Sequence, residues 1–493
     1  MQLTQHQQST FQQLKDFIHS KEEQVFILRG YAGTGKTTIV GFLLDWLKET
    51  DNYVPVLLAS TGRAARILKQ KTKQEATTVH SQIYAFDVIE ERASKKKDAW
   101  KDKTGQLVLN FSLKSPTKDT KKLYIIDEAS MLSYIPQESE HIAQFGTGNV
   151  LSDFLSFAGN NKVIFVGDPA QLPPPVGINP FSAALAPNYL SKTFQKKVAV
   201  GSLTEILRQK EGGDILKLAT LIRNRFKDKK YHDWETLMNQ PGRGVFHPFN
   251  QQILFRRYLP LLQEDVTKPI IITHSNKQAF YLNQNIRELL GNKNWFHLNE
   301  GALLMVAQNS YDVDLSNGDQ VILQKVKFVE KRAGFTFLEV TVKNIHDQKE
   351  HKTYLLKEFL FRPEANLPIH DAKKLLIDFD KRARNRGLRR NSEEYKKMML
   401  KDKFLNALRA KFGYAITCHK SQGGEWSHVF LNLSDTLDRL DGETRLRWLY
   451  TAVTRAQDHL DIKGVYRGNQ PKKKNAKNRT TQHLQRKNKR TGS

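Results

Sequence analysis

The eight residues Gly30-Tyr31-Ala32-Gly33-Thr34-Gly35-Lys36-Thr37 restrict what this chain can fold into more than any other segment. They follow a short apolar run, Val25–Arg29, that predicts a buried strand. They precede residues 38–48, whose periodicity predicts an amphipathic helix. Glycines at this turn let the backbone curl so that its N–H groups face an anion, and the helix N-terminus adds positive potential. Lys36 then reaches the β and γ phosphates of a nucleotide, and the Thr37 hydroxyl holds Mg²⁺. Gly30, Ala32, Gly33, Thr34, Gly35, Thr37 and Thr38 are the candidate cradle. The segment implies binding and hydrolysis of a nucleoside triphosphate with Mg²⁺.

A chain of 493 residues supports two or more domains, each with its own core. Its formal charge of +27 exceeds what nucleotide hydrolysis alone requires and suits a protein that follows a phosphate backbone. Cys418 is the single cysteine. That excludes a disulfide within the chain and an iron–sulfur cluster with four Cys ligands, and it suits a reducing interior. Residues 1–10 lack a basic segment followed by an apolar one, so no signal peptide is expected. The longest apolar runs, such as Pro269-Ile270-Ile271-Ile272, are too short to span a bilayer. A cytoplasmic, nucleoid-associated protein without membrane contact is expected.

From Val25 to about Val200, short apolar strands (25–28, 54–59, 123–126 and 163–166) alternate with amphipathic helices. This pattern predicts a parallel sheet covered by helices, with ligands at the strand carboxyl ends. Between Tyr84 and Lys122 the pattern breaks. A charged stretch and the Thr104-Gly105 turn before residues 106–111 suggest a small hairpin insertion, with a disordered loop as the alternative. A second α/β block starts near Leu203, with strands at 269–274, 414–418, 429–433 and 460–462. Residues 301–367, rich in β-branched and aromatic side chains with a turn at Asn317-Gly318, predict an inserted β-barrel or sheet. Residues 371–410 predict a highly charged helical stretch, either an arm against DNA or a solvated face. After Tyr466 the chain carries no acidic residue and too little apolar surface to fold alone, so a disordered basic tail is expected.

Two further segments carry chemistry. Leu123-Tyr124-Ile125-Ile126 ends in Asp127-Glu128. Strand alternation gives these acids separate directions, so Asp127 suits Mg²⁺ and Glu128 suits activation of the attacking water. Val163-Ile164-Phe165-Val166 leads into Gly167-Asp168-Pro169-Ala170-Gln171, where the Gln171 amide can bond both the γ-phosphate and the lytic water.

In this order the segments resemble the ordered motifs of superfamily 1 group B DNA helicases, the RecD/Dda-like branch, over residues 3–462. Gly30–Thr37 is similar to motif I, Asp127-Glu128 to motif II and Gly167–Pro174 to motif III. Leu3-Thr4-Gln5-His6-Gln7 resembles the Q motif, which implies that Gln7 grips the adenine edge. Leu58-Ala59-Ser60-Thr61-Gly62-Arg63-Ala64-Ala65 resembles motif Ia, with Ser60 where many relatives carry Pro, and Thr77-Thr78-Val79-His80 resembles the DNA-contact motif that follows. Leu203-Thr204-Glu205-Ile206-Leu207-Arg208-Gln209 resembles motif IV. Thr417-Cys418-His419-Lys420-Ser421-Gln422-Gly423 resembles motif V, and Leu449-Tyr450-Thr451-Ala452-Val453-Thr454-Arg455-Ala456 resembles motif VI.

The resemblance implies two RecA-like P-loop domains, one formed by 1–84 with 123–202 and the other by 203–300 with 411–465. A hairpin insertion would occupy 85–122, an SH3-like insertion with its charged arm 301–410, and the tail 466–493. It implies Lys36, Glu128, Gln171, Arg208 and Arg455 as catalytic residues, the two arginines reaching the phosphates from the second domain, Arg455 as a finger. It implies DNA contacts at Thr61, Gly62, Arg63, His80, His419, Ser421 and Gln422; the hydroxyl, amide and imidazole groups of Thr61, His80, His419, Ser421 and Gln422 suit contacts made and released repeatedly. In relatives the inserted hairpin splits the duplex, and Phe86, Trp100 and Phe111 lie in or near it. The function implied is an ATP-dependent, monomeric DNA motor acting on single strands and junctions, of the kind used in DNA replication, recombination and repair. Its 5′-to-3′ polarity rests on the resemblance alone. An RNA or RNA–DNA hybrid helicase and a DNA-stimulated ATPase switch stay open. A binding module with a decayed ATP site is disfavoured by the intact motif residues.

Overall fold

A computed structural model describes residues 2–50, 53–92, 106–115, 121–136, 143–175, 180–205, 213–248, 250–292, 294–310, 312–390 and 392–464. Arg208, Trp100 and the tail 466–493 lie outside the described residues.

Nine strands lie before residue 204: β1 (Val25–Gly30), β2 (Val54–Ala59), β3 (Ala76–Thr78), β4 (Tyr84–Arg92), β5 (Gln106–Leu113), β6 (Lys122–Asp127), β7 (Ala143–Phe145), β8 (Lys162–Gly167) and β9 (Val198–Leu203). Six of them form a parallel sheet in the order β3-β2-β6-β8-β1-β9. Its central strands are apolar on both faces, because helices cover both. The register sets Arg29 beside Gly167 and Ile126 beside Phe165, so the ends of β1, β8 and β6 form one edge. The first of those ends opens into the phosphate loop and the helix Lys36–Thr50.

The hairpin expected at 85–122 is present as antiparallel β4 and β5, and β7 from beyond that range pairs in parallel with β5. Phe111 stacks on Phe145 with ring centroids 4.5 Å apart, and Phe86 meets Phe111 edge-on. Both rings are occupied in packing.

The second parallel sheet is built from β10 (Val245–Phe246) and β11 (Pro269–Thr273), joined much later in the chain by β17, β18 and β19. Between these lie β12 (Leu303–Val306), β13 (Gln320–Arg332), β14 (Phe335–Asn344), β15 (Glu350–Leu356) and β16 (Ala410–Phe412). The three late strands are β17 (Ala415–Thr417), β18 (Trp426–Asn432) and β19 (Ala456–Lys463). The order in the parallel sheet is β10-β19-β18-β11-β17, and the inserted strands form an antiparallel sheet in the order β15-β14-β13-β12-β16. The chain thus carries two RecA-like α/β domains. The expected boundaries at 202 and 410 cut through β9 and β16, because backbone pairing outlasts the apolar pattern that suggested them.

The charged stretch 371–410 packs one face into the fold and leaves Lys381, Arg384, Arg386 and Arg389 exposed. Its helices, Ile369–Asn385 and Glu393–Lys401, pack Leu375, Leu376, Phe379 and Tyr395 onto Phe335 and Phe337 of β14. The charges close on one another. Buried Asp380 accepts from Arg390 Nη2 at 2.6 Å and from the Tyr395 hydroxyl at 2.9 Å, and it lies 2.7 Å from Arg384. Burial would raise the Asp380 carboxyl, but those bonds outweigh it and hold it below the usual carboxylate range. Arg382 is spent on Asp378 and Asp402. No helix of the described residues is long and apolar enough to cross a membrane.

Candidate nucleotide site between the domains

The phosphate loop needs its glycines where the backbone enters the left-handed region, at Gly33 (φ 78°) and Gly35 (φ 84°). Lys36 opens the following helix, with Thr37 and Thr38 in its first turn. The Lys36 ammonium donates to Gly30 O at 2.7 Å and Tyr31 O at 3.2 Å, capping the cradle it would share with a phosphate. Gln7 is buried in a capping box at the start of its helix. Its Nε2 donates to Thr34 O at 3.2 Å, and its Oε1 accepts from Thr4 N–H. The glutamine therefore touches the loop, with both amide ends engaged inside the protein.

Asp127 ends β6 and accepts the Glu128 N–H at 2.9 Å. Glu128 itself holds φ at 50°, a left-handed conformation that a non-glycine residue occupies only under constraint. That bend turns its carboxylate into the cleft, where Oε2 is buried without a partner. Burial, then the Asp127 charge, push the Glu128 carboxyl up to about 7, against Arg455 and Lys36. Burial likewise raises Asp127. A water-activating group titrating near neutrality suits general-base work. Gln171, on the loop after β8, is also buried, and its Oε1 lacks a partner.

The second domain reaches this edge mainly through the helix Gly442–Val453, with Gln422 and Arg223 adding contacts. The Tyr450 hydroxyl donates to Asp168 Oδ2 at 2.7 Å and accepts from the Ala32 N–H at 3.1 Å. One oxygen thus ties the phosphate loop to the loop after β8. Thr451 Oγ1 accepts from Leu172 N–H at 2.9 Å, and Gln422 Nε2 donates to Leu172 O at 2.9 Å. Arg447 donates to Pro169 O and Gln171 O. On the P-loop itself, Tyr31 lies under the Arg223 guanidinium, 4.2 Å from its ring centroid.

Arg455 follows the same helix and is buried. Its charge acts on Glu128, but its three nitrogens donate to Thr451 O, Gly424 O and Thr454 Oγ1 at 3.0–3.1 Å, all within its own domain.

The expected strand contacts separate into half-buried and interior groups. Thr61 caps the helix Gly62–Thr72, accepting from Ala64 N–H at 3.2 Å. Gly62 is buried against Ser316 of the inserted sheet, where an added Cβ would fall 1.9 Å from the Ser316 Cβ. Arg63 is buried over Trp426, 4.3 Å from its ring centroid, with Nε and Nη1 unpartnered. Neighbouring Arg66 bonds Asp319 and Asp347. His80 packs on Tyr84 and Phe145, and burial lowers its pKa. His419 is pushed down to about 4, by burial and then by His274, and is neutral at pH 7. Ser421 spends its hydroxyl on Cys418 O at 2.7 Å, and Gln422 faces the first domain. In this arrangement Gly62, Arg63, Ser421 and Gln422 are interior. Apolar neighbours enclose these small and amide side chains, and sequence spacing cannot display that enclosure.

Sequence reasoning assigned no role to Tyr31, Arg223, Trp426, Arg447, Tyr450 or Thr451. A signal was available for three of them. Arg447, Tyr450 and Thr451 fall at i, i+3 and i+4 and so share one helix face ahead of Arg455. Arg223 and Trp426 carry no such mark.

Comparison with known proteins agrees with this arrangement. Residues 2–236 match the family model for an AAA domain, and residues 412–462 match that for the UvrD-like helicase C-terminal domain. An uncharacterised protein of Acanthamoeba polyphaga mimivirus is 23% identical over 524 residues, covering 92% of this chain and 98% of its own. The ATP-dependent DNA helicase dda of Enterobacteria phage T4 is 38% identical over 79 residues, 16% of this chain and 18% of that protein. The crystal structure of a Bacteroides Pif1 helicase in complex with ADP-AlF3 and ssDNA superposes with a TM-score of 0.50 at 18% identity, covering 94% of this chain and 92% of that one. With an AAA-domain model matched at one end and a UvrD-like helicase C-terminal model at the other, around a cleft that joins the phosphate loop to the second RecA-like domain, the chain has the domains of an ATP-dependent helicase and is similar to superfamily 1 helicases.

Proposed function

We propose that this protein is a DNA helicase that moves 5′ to 3′ along single-stranded DNA and separates duplex at junctions, driven by ATP hydrolysis in the cleft between its two parallel sheets. The observation that carries the reading is the Tyr450 bridge, one hydroxyl shared between the phosphate loop and Asp168. Phosphoryl transfer is mostly positioning and charge neutralisation, so a cleft whose two walls share hydrogen bonds couples nucleotide state to domain position. Lys36 and the amides of residues 32–38 would hold the phosphates, with Gln7 behind the loop. Thr37 and Asp127 offer a hydroxyl and a carboxylate, hard oxygen donors that fit Mg²⁺. Glu128 would take the proton of the attacking water and Gln171 would orient it. Arg455 and Arg208 would neutralise the developing charge. Thr61, His80 and His419 would meet the strand. The single-stranded DNA on the Bacteroides neighbour and the DNA helicase activity named for the phage relative support DNA as the track.

The test is strand displacement on partial duplexes with a 5′ or a 3′ single-stranded tail, with an RNA-tailed control and Lys36→Ala alongside. ATP-dependent displacement from the 5′-tailed DNA alone, absent in the variant, is expected. DNA-stimulated turnover with no displacement would replace the helicase by a switch.

Tyr450→Phe tests the bridge. The ring keeps its packing, while Asp168 and the Ala32 N–H each lose a partner, a change of about 1–3 kcal/mol. Duplex separated per ATP hydrolysed should fall several-fold while ATP affinity changes little. Unchanged coupling would show that the bridge transmits nothing.

A further inference from the structure

A cleft in the second domain opens beside residues assigned no role above. One wall is the helix Asn276–Leu289, which presents Asn276, Phe280 and Asn283, and the facing wall is the segment 360–365. Lys411 and Phe412 line its floor, and it ends at Thr417 and Lys420, within the segment that resembles motif V.

The rim is aromatic and open. Trp295 is 45% exposed and Phe296 61%, with Tyr281 at 52% nearby. Trp295 touches Phe280 of the cleft wall at 6.1 Å between centroids, and Phe296 touches Phe361 at 5.4 Å. The backbone beneath them is pinned. Buried Arg287 donates to Trp295 O at 3.0 Å and to His297 O, with its guanidinium 4.1 Å from the Phe412 ring centroid. Asn294 Oδ1 accepts the Phe296 N–H at 3.0 Å. The loop is therefore anchored by a buried cation while both large rings face solvent, against the usual tendency to bury them.

The charge at the cleft has one sign in excess. Lys411 and Lys420 meet there with Arg362, and Glu364 is the acid on the lining. Lys411 is held by Phe359 O and Arg362 O. Lys420 has no ion pair among the described residues. Burial brings Lys420 down to about 8, and burial with the Lys420 charge brings Lys411 to about 7, so an anion at the cleft would restore both. Arg362 is paired with Asp371, so Lys420 is the cation of this lining left for a ligand, and anchored exposed rings beside such a cleft match a nucleic-acid strand, which carries a planar base and an anionic phosphate at each step.

We propose that the Trp295–Phe296 rim and the Lys420 end of this cleft form a subsite for single-stranded nucleic acid, with bases stacked on the two rings and a phosphate at Lys420, extending the strand path beyond motif V. The proposal rests on the DNA-motor reading above.

The test measures binding of the full chain to two dT oligonucleotides, one short enough to fill only the motor core and one longer. Base–aromatic stacking contributes ~1–3 kcal/mol per base, so the Trp295→Ala/Phe296→Ala variant should bind the longer strand about tenfold more weakly and the short one as the parent does. Trp295→Phe should restore most of the loss. An abasic extension should bind parent and variant alike. Lys420→Gln should lower the salt dependence of binding by about one counterion. Equal affinity of parent and double variant for the longer strand overturns the proposal and leaves the rim as a surface for a protein. Failure of the parent to bind either oligonucleotide would overturn the DNA-motor reading, and the subsite with it.

Discussion

Glu128→Gln should stop ATP turnover and, in the nucleotide-free protein, raise thermal stability at pH 8. Loss of a general base costs about 10²–10⁴ in rate, and that loss should appear as kcat with nucleotide affinity near the parent's. The stability gain follows from the same environment. Burial raises the Glu128 carboxyl from 4.5 to about 7, so the folded protein prefers it protonated. As pH rises from the ordinary carboxylate range through 7, the unfolded chain ionises freely while the folded one must hold a charge without a hydrogen-bond partner on Oε2. The penalty is absent below pH 4, grows between 4.5 and 7, and is complete at pH 8, at roughly 3 kcal/mol. The amide carries no charge, so the variant should melt several degrees above the parent at pH 8 and close to it at pH 4. Turnover of the parent should rise with pH through about 7, as the base ionises. A variant that melts with the parent at both pH values would mean that Glu128 is solvated in solution.

Arg455→Ala should have the other large effect, a loss of about 10³-fold or more in hydrolysis, with ATP binding changed much less. The physical basis is location. Arg455 follows the helix that grips the loop after β8, and its charge acts on Glu128. In this arrangement its nitrogens are spent on Thr451 O, Gly424 O and Thr454 Oγ1. To reach a phosphate it must exchange those bonds for charge-assisted ones, which are about twice as strong. Its contribution would then grow in the closed state and favour hydrolysis over binding. Fluorescent-nucleotide affinity and single-turnover hydrolysis separate the two quantities. A variant that loses affinity and hydrolysis equally would make Arg455 a structural residue of its own domain.

The inserted charged stretch shows how far pattern reading carries. Lys381-Arg382-Ala383-Arg384-Asn385-Arg386 suggested a face for DNA or for water, yet Arg382 and Arg384 are paired with acids distant by up to 20 residues. A carboxylate as deeply buried as Asp380 is tolerable only with such partners. Arg382–Asp378 and Arg384–Asp380 are i, i+4 neighbours on one helix, but the Arg382–Asp402 and Arg390–Asp380 pairs depend on how the segments pack together, and no local period encodes them. Arg63 and Gln422 make the same point with the opposite sign. Their types fitted a nucleic-acid contact, and the fold placed one over Trp426 and the other against Leu172.

What the sequence determined by itself is local. The strand, the glycine turn and the helix at 25–50, the two acids ending an apolar strand and the Asn317-Gly318 turn all follow from side-chain period and backbone freedom within a few residues. What only the tertiary structure decided is contact across distance. The addition of β7 to the hairpin, the closing of the inserted sheet by β16, the Tyr450 hydroxyl between Ala32 and Asp168, and the rise of the Glu128 carboxyl each need groups that lie far apart in the chain or in separate domains. Hydrogen-bond partners and burial are properties of packing, and packing is set when every element has found its neighbour.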